Sequence, residues 1–252
     1  MNEALKKLIE KKVKLDAFRP LPPELVKNLE EWFRVELTYT SNAIEGNTLS
    51  RQETALVVDK GITVDGKSIA EHLEATNHAE ALDYVKKLAE AKRQDVKESD
   101  ILSLHQTILK KIDDANAGKY RNVAVRIAGS EVILPNALKV PELMANFIAW
   151  LKSADGHPVD VASKAHFDLV SIHPFVDGNG RTARLLMNLL LLQEGYPPAL
   201  IRKEDRRIYI NAVEKGQLTG NMNDFYQVIY EAINRSMDIY LNTAEWKEPG
   251  NS

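Results

Sequence analysis

The stretch HPFVDGNGRTAR, His173 to Arg184, decides how the rest of the chain is read. It lies between two helical patterns, DVASKAHFDLVSI before it and RTARLLMNLLLLQEG after it, so it is a loop crossing from one helix to the next. Gly178 and Gly180 permit close backbone approach, which lets successive amides point into one concavity. The second helix is expected to begin near Arg181, so its unpaired N–H groups face the same space. Arg181 and Arg184 share one face of that first turn. Two cations at the positive end of a helix cost roughly some tenths of a kcal/mol each, and a bound polyanion reverses the sign of that cost. Asp177 supplies a hard oxygen ligand of the kind Mg²⁺ takes alongside phosphates. His173, held by Pro174 at the loop entrance, offers a neutral imidazole to take a proton from an incoming hydroxyl. Amide nest, arginines, carboxylate and base are together the parts of phosphoryl-type transfer. A DGNG tetrapeptide alone is ordinarily a turn. A turn has no need of His173, Asp177, Arg181 and Arg184 in the same short segment.

Composition sets the limits on everything else. The chain has 252 residues, 44% hydrophobic and 27% charged, with a net charge of -3. That is the balance of an ordinary globular protein; nothing in it argues for a polyanion-binding surface over the whole protein, though net charge leaves a local cluster of arginines open. The absence of cysteine excludes disulfides, thiolate metal sites and cysteine nucleophiles. The opening MNEALKKLIEKK lacks the apolar core of a signal peptide, and LLMNLLLL (Leu185 to Leu192) is about half of a membrane span. A cytoplasmic protein without membrane or nucleic-acid partners is expected.

Helical periodicity dominates outward from the loop. One helix is expected from Leu25 to about Glu36 after the prolines of RPLPPE, and a second segment ends at IEGN. Further helices are expected over Ser68 to Ala91, from a Ser99 N-cap to Ile112, and from Pro141 through LKSA. NMNDFYQVIYEAINRSMDIYLNTAEW closes the chain as a last helix. Between them VAVRIAGSEVIL, Val123 to Leu134, alternates β-branched residues around AGSE and reads as a small β-hairpin. The fold class expected is all-α, a helical bundle with one hairpin. Residues 1–95 form an N-terminal helical region, 96–215 a catalytic core, and 216–252 a C-terminal helix and polar tail packed on it as one globular unit.

HPFVDGNGRTAR resembles the Fic motif, HPFx(D/E)GNGRxxR, at every specified position. The resemblance to the Fic/DOC family extends from about Ile101 to Val213, including GKYR (Gly118 to Arg121) and GYPPALIRKEDR. It implies a Fic-fold protein adenylyltransferase that moves AMP from ATP to a Ser, Thr or Tyr hydroxyl of a target protein, or of itself, with Mg²⁺. By resemblance His173 is the base and Asp177 the metal ligand. Gly178, Asn179 and Gly180 form the anion hole, and Arg181 and Arg184 grip the phosphates. Relatives with an altered glycine segment do other chemistry; the intact GNGR favours adenylylation. The hairpin Val123 to Leu134 becomes a flap that pins the target backbone by strand addition. Asn188 and Tyr209 lie where the family builds its nucleotide pocket.

The resemblance also gives meaning to SNAIEGN, Ser41 to Asn47. Ser41 to Gly46 fits an inhibitory-helix pattern, (S/T)xxxE(G/N), with the helix expected at about 38–46. Glu45 is an anion at a helix end that prefers a cation. Arg184 is its expected partner, so that a carboxylate competes with a phosphate for one guanidinium. Removal of AMP from a modified protein, with Glu45 orienting a water, is the alternative activity. A catalytically silent nucleotide-binding module is a further alternative, against which the intact His173 and Asp177 speak. A homodimer masking the inhibitory helix is an arrangement the family allows.

Other histidines are expected to be structural. His157 lacks a following glycine nest, and His166 is read as packed. His72, His78 and His105 have no second histidine one turn away, and Glu74 before His78 makes only a weak pair. EKGQLTGNMND reads as a surface turn before the last helix, and KEDRR as a solvated face.

Overall fold

Ten α-helices, and no strand, carry the described residues 3–245 of the computed structural model. They are α1 (Glu3–Ala17), α2 (Pro23–Glu45), α3 (Arg51–Lys60), α4 (Ile69–Leu88), α5 (Glu98–Leu109), α6 (Val140–Ser153), α7 (Pro158–Ile172), α8 (Asn179–Gln193), α9 (Arg206–Thr219) and α10 (Asn223–Ala244). The central element is α8. Its run Leu185, Leu186, Met187, Leu189, Leu190 and Leu191 is buried on all sides, packed by α7, α4, α5 and α2. An all-round apolar helix must be enclosed by protein or lipid. Here protein encloses it, and no described helix is long and apolar enough to cross a membrane.

Local chemistry sets the ends of the surrounding helices. Ser50 and Ser68 form capping boxes with Glu53 and Glu71 at the starts of α3 and α4. Prolines 23, 141 and 158 occupy first-turn positions of α2, α6 and α7. One core cluster joins Leu5, Ile44 and Val85 to Leu104, Leu189 and Ile233. Helix α1 lies along α10, where Lys11 pairs with Asp238 at 2.7 Å and Asn234 donates to the Ala4 carbonyl.

Several sequence expectations are corrected. The segments over 25–36 and up to IEGN are one helix, α2, of 23 residues. Leu37 to Thr40 contain no breaker, and the Thr40 hydroxyl bonds the Glu36 carbonyl within the helix. Helix α5 starts at Glu98, before Ser99, and α8 starts at Asn179, so Gly180 is already helical. EKGQLT belongs to α9, which ends at Gly220.

The hairpin expected over Val123 to Leu134 is not formed as paired strands. The segment has only a turn, with Ser130 N–H to Ile127 O at 3.1 Å. Its flanks are bridged instead by Arg121, which donates to Val123 O at 3.1 Å and Pro135 O at 2.6 Å. Glu214 of α9 holds the tip through the Ser130 hydroxyl. The polar tail, from residue 246 onward, lies outside the described residues.

Candidate active site

Helix α7 delivers His173 to the site. His173 caps that helix in the left-handed region, φ 51° and ψ 60°, with its N–H on Leu169 O at 2.9 Å. A non-glycine residue pays roughly 1–2 kcal/mol there, so neighbours must hold it. Arg121 does so: Nε donates to His173 O at 2.7 Å, and the Arg121 N–H to Pro174 O at 2.9 Å. The imidazole Nδ1 lies 3.3 Å from Val170 O, which places the ring proton on Nδ1 and leaves Nε2 with its lone pair. Burial holds the imidazole below its ordinary pKa, outweighing the Val170 carbonyl, Asp177 and Glu45. His173 is therefore a neutral acceptor near neutral pH.

The start of α8 supplies donors. Its first intrahelical N–H bond is Thr182 to Gly178 O at 2.9 Å, so the N–H groups of Asn179, Gly180 and Arg181 have no acceptor inside the helix. Asn179 steadies the loop from within, accepting from Phe175 N–H and donating to Phe175 O, both at 2.9 Å. The end of α2 faces this N-terminus. Glu45 Oε1 lies 2.7 Å from Arg184 Nη2, and a Cβ on Gly180 would stand only 2.5 Å from that oxygen. Gly180 is thus what lets a carboxylate reach the backbone there. The Glu45 anion, disfavoured at its own helix end, rests at the positive end of another helix.

Arg184 is almost fully buried and has several acceptors. Nε donates to the Ser41 hydroxyl and Nη2 to the Ser41 carbonyl, both at 3.0 Å, while Nη1 lies 3.5 Å from the Tyr209 hydroxyl. Burial opposes its charge, but Glu45 and Tyr209 outweigh that and leave its pKa raised. Gly46, left-handed at φ 107°, ends α2 directly after Glu45. Arg206 of α9 fixes the same helix end through Ile44 O at 2.6 Å.

Arg181 forms a second, separate charge cluster. It donates to Glu74 Oε1 at 3.1 Å and to Asp177 Oδ2 at 3.2 Å. Asn47, just beyond Gly46, donates to the other Glu74 oxygen at 2.8 Å. The Asp177 side chain is 69% exposed, while that of Arg181 is 3% exposed. No group of three or more metal-ligating side chains exists among the described residues. One exposed carboxylate fits the little that Mg²⁺ asks of a protein, since the ion is commonly held by one or two carboxylates together with substrate phosphates.

The two residues expected in a nucleotide pocket, Asn188 and Tyr209, are both buried close to Arg184. Asn188 Oδ1 accepts from Ala199 N–H at 2.9 Å, and Tyr209 is buried under Arg184 with its hydroxyl 2.8 Å from His166 Nε2. Asn188 lines a small cavity beside Arg184 and Ser41. Sequence reasoning gave no role to Arg121, Glu74 or the Ser41 hydroxyl, because each acts on a partner distant in the chain. His157 sits at the N-cap of α7, and His72 bonds Val64 N–H and Ser68 O, so both are structural.

The chain is similar to known proteins over this whole region. Residues 95–191 match the family model described as Fic/DOC family. A relative from Aedes aegypti named "Protein adenylyltransferase Fic" is 37% identical over 228 residues, which are 89% of this chain and 45% of the relative. One of the same name from Nematostella vectensis is 36% identical, covering 95% and 56%. The chain thus spans about half the length of the curated relatives it matches. Among solved structures, Fic-1 from C. elegans superposes with a TM-score of 0.86 at 30% identity, covering 95% of this chain and 72% of that one. A Fic domain containing signaling protein from Bacteroides thetaiotaomicron gives 0.85 at 28% identity, covering 95% and 98%.

Proposed function

This chain belongs to the Fic/DOC family, and on that premise we propose that it is an autoinhibited protein adenylyltransferase. The observation that carries the reading is the anion site at the start of α8, where the Glu45 carboxylate sits among Gly180, Arg184 and the unused N–H groups. Helix N-termini of this kind hold phosphates, and the adenylyltransferase relatives supply the substrate class, ATP.

In the proposed reaction the target hydroxyl gives its proton to His173 Nε2 while its oxygen attacks the α-phosphorus of ATP. The new oxygen–phosphorus bond forms as the bond to the β-phosphate oxygen breaks. Pyrophosphate leaves, AMP stays on the target, and the proton on His173 returns to solvent. Asn179, Gly180 and Arg181 N–H groups stabilise charge on the phosphate oxygens, and Arg181 and Arg184 hold the phosphate tail. Asp177 is the residue to hold Mg²⁺, which when bound neutralises charge between the phosphates. Asn188 and Tyr209 are carried as nucleotide-pocket residues on family resemblance; Tyr209 also backs Arg184, and Asn188 of α8 holds the Ala199 N–H.

Glu45 keeps this chemistry off by occupying Arg184. ATP then cannot seat its γ-phosphate and align its α-phosphate for attack. The flap, residues 123–134, is proposed to take the target backbone along its edge; Val123 and Ile133 are exposed there, Ile133 at 89%. A homodimer masking α2 is carried on family resemblance, and light scattering decides it.

The test is transfer of label from ATP by the Glu45→Gly variant. Label at the α-phosphate is expected on protein, and label at the γ-phosphate is expected to be absent from it. Incorporation of γ-label, or of neither, would overturn the assignment. The alternative, AMP removal, draws on the 38% exposure of the Glu45 side chain, which leaves it room to hold a water. Release of AMP from a modified target by the wild-type chain reads that activity separately.

A further inference from the structure

His105, on α5, has no part in the chemistry above, yet its ring is completely buried against the catalytic loop. Gly118 N–H donates to its Nδ1 at 3.0 Å, which fixes the proton on Nε2. Nε2 lies 3.0 Å from the backbone carbonyl of Asp177, so the imidazole donates there. The ring stacks flat on Phe175, with centroids 3.6 Å apart and planes 4° from parallel. A Cβ on Gly178 would stand 3.3 Å from the same ring. One side chain thus touches three successive parts of the loop: Phe175, Asp177 and Gly178.

Its contacts complete a pattern along the loop backbone. Arg121 holds the carbonyls of His173 and Pro174, Asn179 that of Phe175, and His105 that of Asp177. The Gly118–Arg121 segment that fixes the His105 tautomer is also the one that clamps His173. A packing residue would need only the stacked ring. The two polar contacts of His105 go to main-chain groups 13 and 72 residues away. Each would be unpaired in the interior if the ring lost its nitrogens.

We propose that His105 is a positioning residue, fixing the backbone at Asp177 so that the Asp177 carboxylate and the first N–H groups of α8 stay aligned with Nε2 of His173. This rests on the adenylyl-transfer reading. A displacement of about 1 Å at such a site costs on the order of a hundredfold in rate.

The experiment compares His105→Phe, which keeps the stack but neither polar contact, with His105→Gln, whose amide keeps a donor toward Asp177 O. Both are made in the Glu45→Gly background and assayed with α-labelled ATP, with melting temperature recorded. Expected for the Phe variant is a fall in kcat of about tenfold to a hundredfold, with KM for ATP within about threefold. The Gln variant should recover at least half of that loss on a logarithmic scale. A Phe variant as fast as its parent, or a Gln variant no better than Phe, would overturn the proposal. A second measurement needs no variant: imidazole ¹⁵N shifts of the wild-type chain at neutral pH. The Nε2–H tautomer is expected for His105, and the Nδ1–H tautomer would overturn the donation to Asp177. An inactive Glu45→Gly parent would count against the transfer reading, while the tautomer still decides the placement of His105.

Discussion

The Glu45 carboxylate lies 2.7 Å from the Arg184 guanidinium, against the backbone of Gly180 at the first turn of α8. The pair joins the last residue of α2, where an anion is disfavoured, to the second turn of α8. Arg184 is nearly buried and Glu45 about a third exposed, so the contact is stronger than a surface ion pair and weaker than a fully enclosed one. It is a contact that a phosphate, with more charge and more acceptor oxygens, has the means to replace.

The Ser41 hydroxyl accepts from Arg184 Nε at 3.0 Å, which gives the serine of the inhibitory pattern a physical task. Ser41→Ala removes one acceptor while the Ser41 carbonyl and Glu45 remain. A loss of about 1 kcal/mol from the closed arrangement is expected, or roughly fivefold more basal transfer. Initial rates with α-labelled ATP check it. Slower transfer than wild type would mean that Ser41 serves the active form instead.

Gly180→Ala should separate the carboxylate from the phosphate chemistry. The added methyl would stand 2.5 Å from Glu45 Oε1 and 3.0 Å from Arg184 Nη1, so the pairing must open. The same methyl fills the space a phosphate oxygen needs. The variant is therefore expected to bind ATP at least tenfold more weakly by calorimetry and to stay inactive even with Glu45→Gly. Activity in the double variant would show that phosphate does not approach Gly180.

The proposed base role of His173 requires the neutral ring, and burial lowers its pKa from the ordinary value of about 6.5. The acid limb of kcat/KM for Glu45→Gly should thus fall below about pH 6.5, with full activity retained above it. A midpoint above that value, measured across a pH series at fixed ionic strength, would contradict the placement of the base.

His78 and His166 flank Arg184 from below. His78 Nδ1 meets the Thr38 hydroxyl at 3.2 Å, while His78 Nε2 and His166 Nδ1 have no partner. Burial, reinforced by Arg184, pushes both down to about 3. The unfolded chain then binds more protons than the folded one, so stability falls as pH drops from about 6.5 toward 3. At about pH 5 each histidine costs on the order of 2 kcal/mol. Urea midpoints from about pH 7 to pH 5 check this, and a flat profile would contradict the neutral, buried state of both rings.

The proposed catalytic loop is legible because its side chains are contiguous: histidine, carboxylate, glycines and arginines all lie within His173 to Arg184. The helices were legible from their periodicity, although α2 was read as two because β-branched Thr38 and Thr40 weaken the local helical signal. The strand pairing of the segment over residues 123–134 is not legible from its alternation. Alternation over Val123 to Leu134 signals extended residues, but Arg121 and Glu214 satisfy its flanks and tip without cross-strand pairing. Contacts between distant positions left no local trace. Ser41 and Arg184 are 143 residues apart, Glu74 and Arg181 are 107, and His105 and Asp177 are 72. His105 looked like any helical histidine until both ring nitrogens had partners.

The competition between carboxylate and phosphate is tested most directly by the rate of AMP transfer from α-labelled ATP in wild type and in Glu45→Gly. A charge-assisted bond of this kind contributes about 1.5–3 kcal/mol, and the exposure of Glu45 favours the lower end. The variant should therefore transfer AMP at least about tenfold faster than wild type, while its melting temperature falls by a few degrees because Arg184 loses its anionic partner. Equal rates from two folded chains would contradict the assignment of Glu45 as the group that holds Arg184 away from ATP.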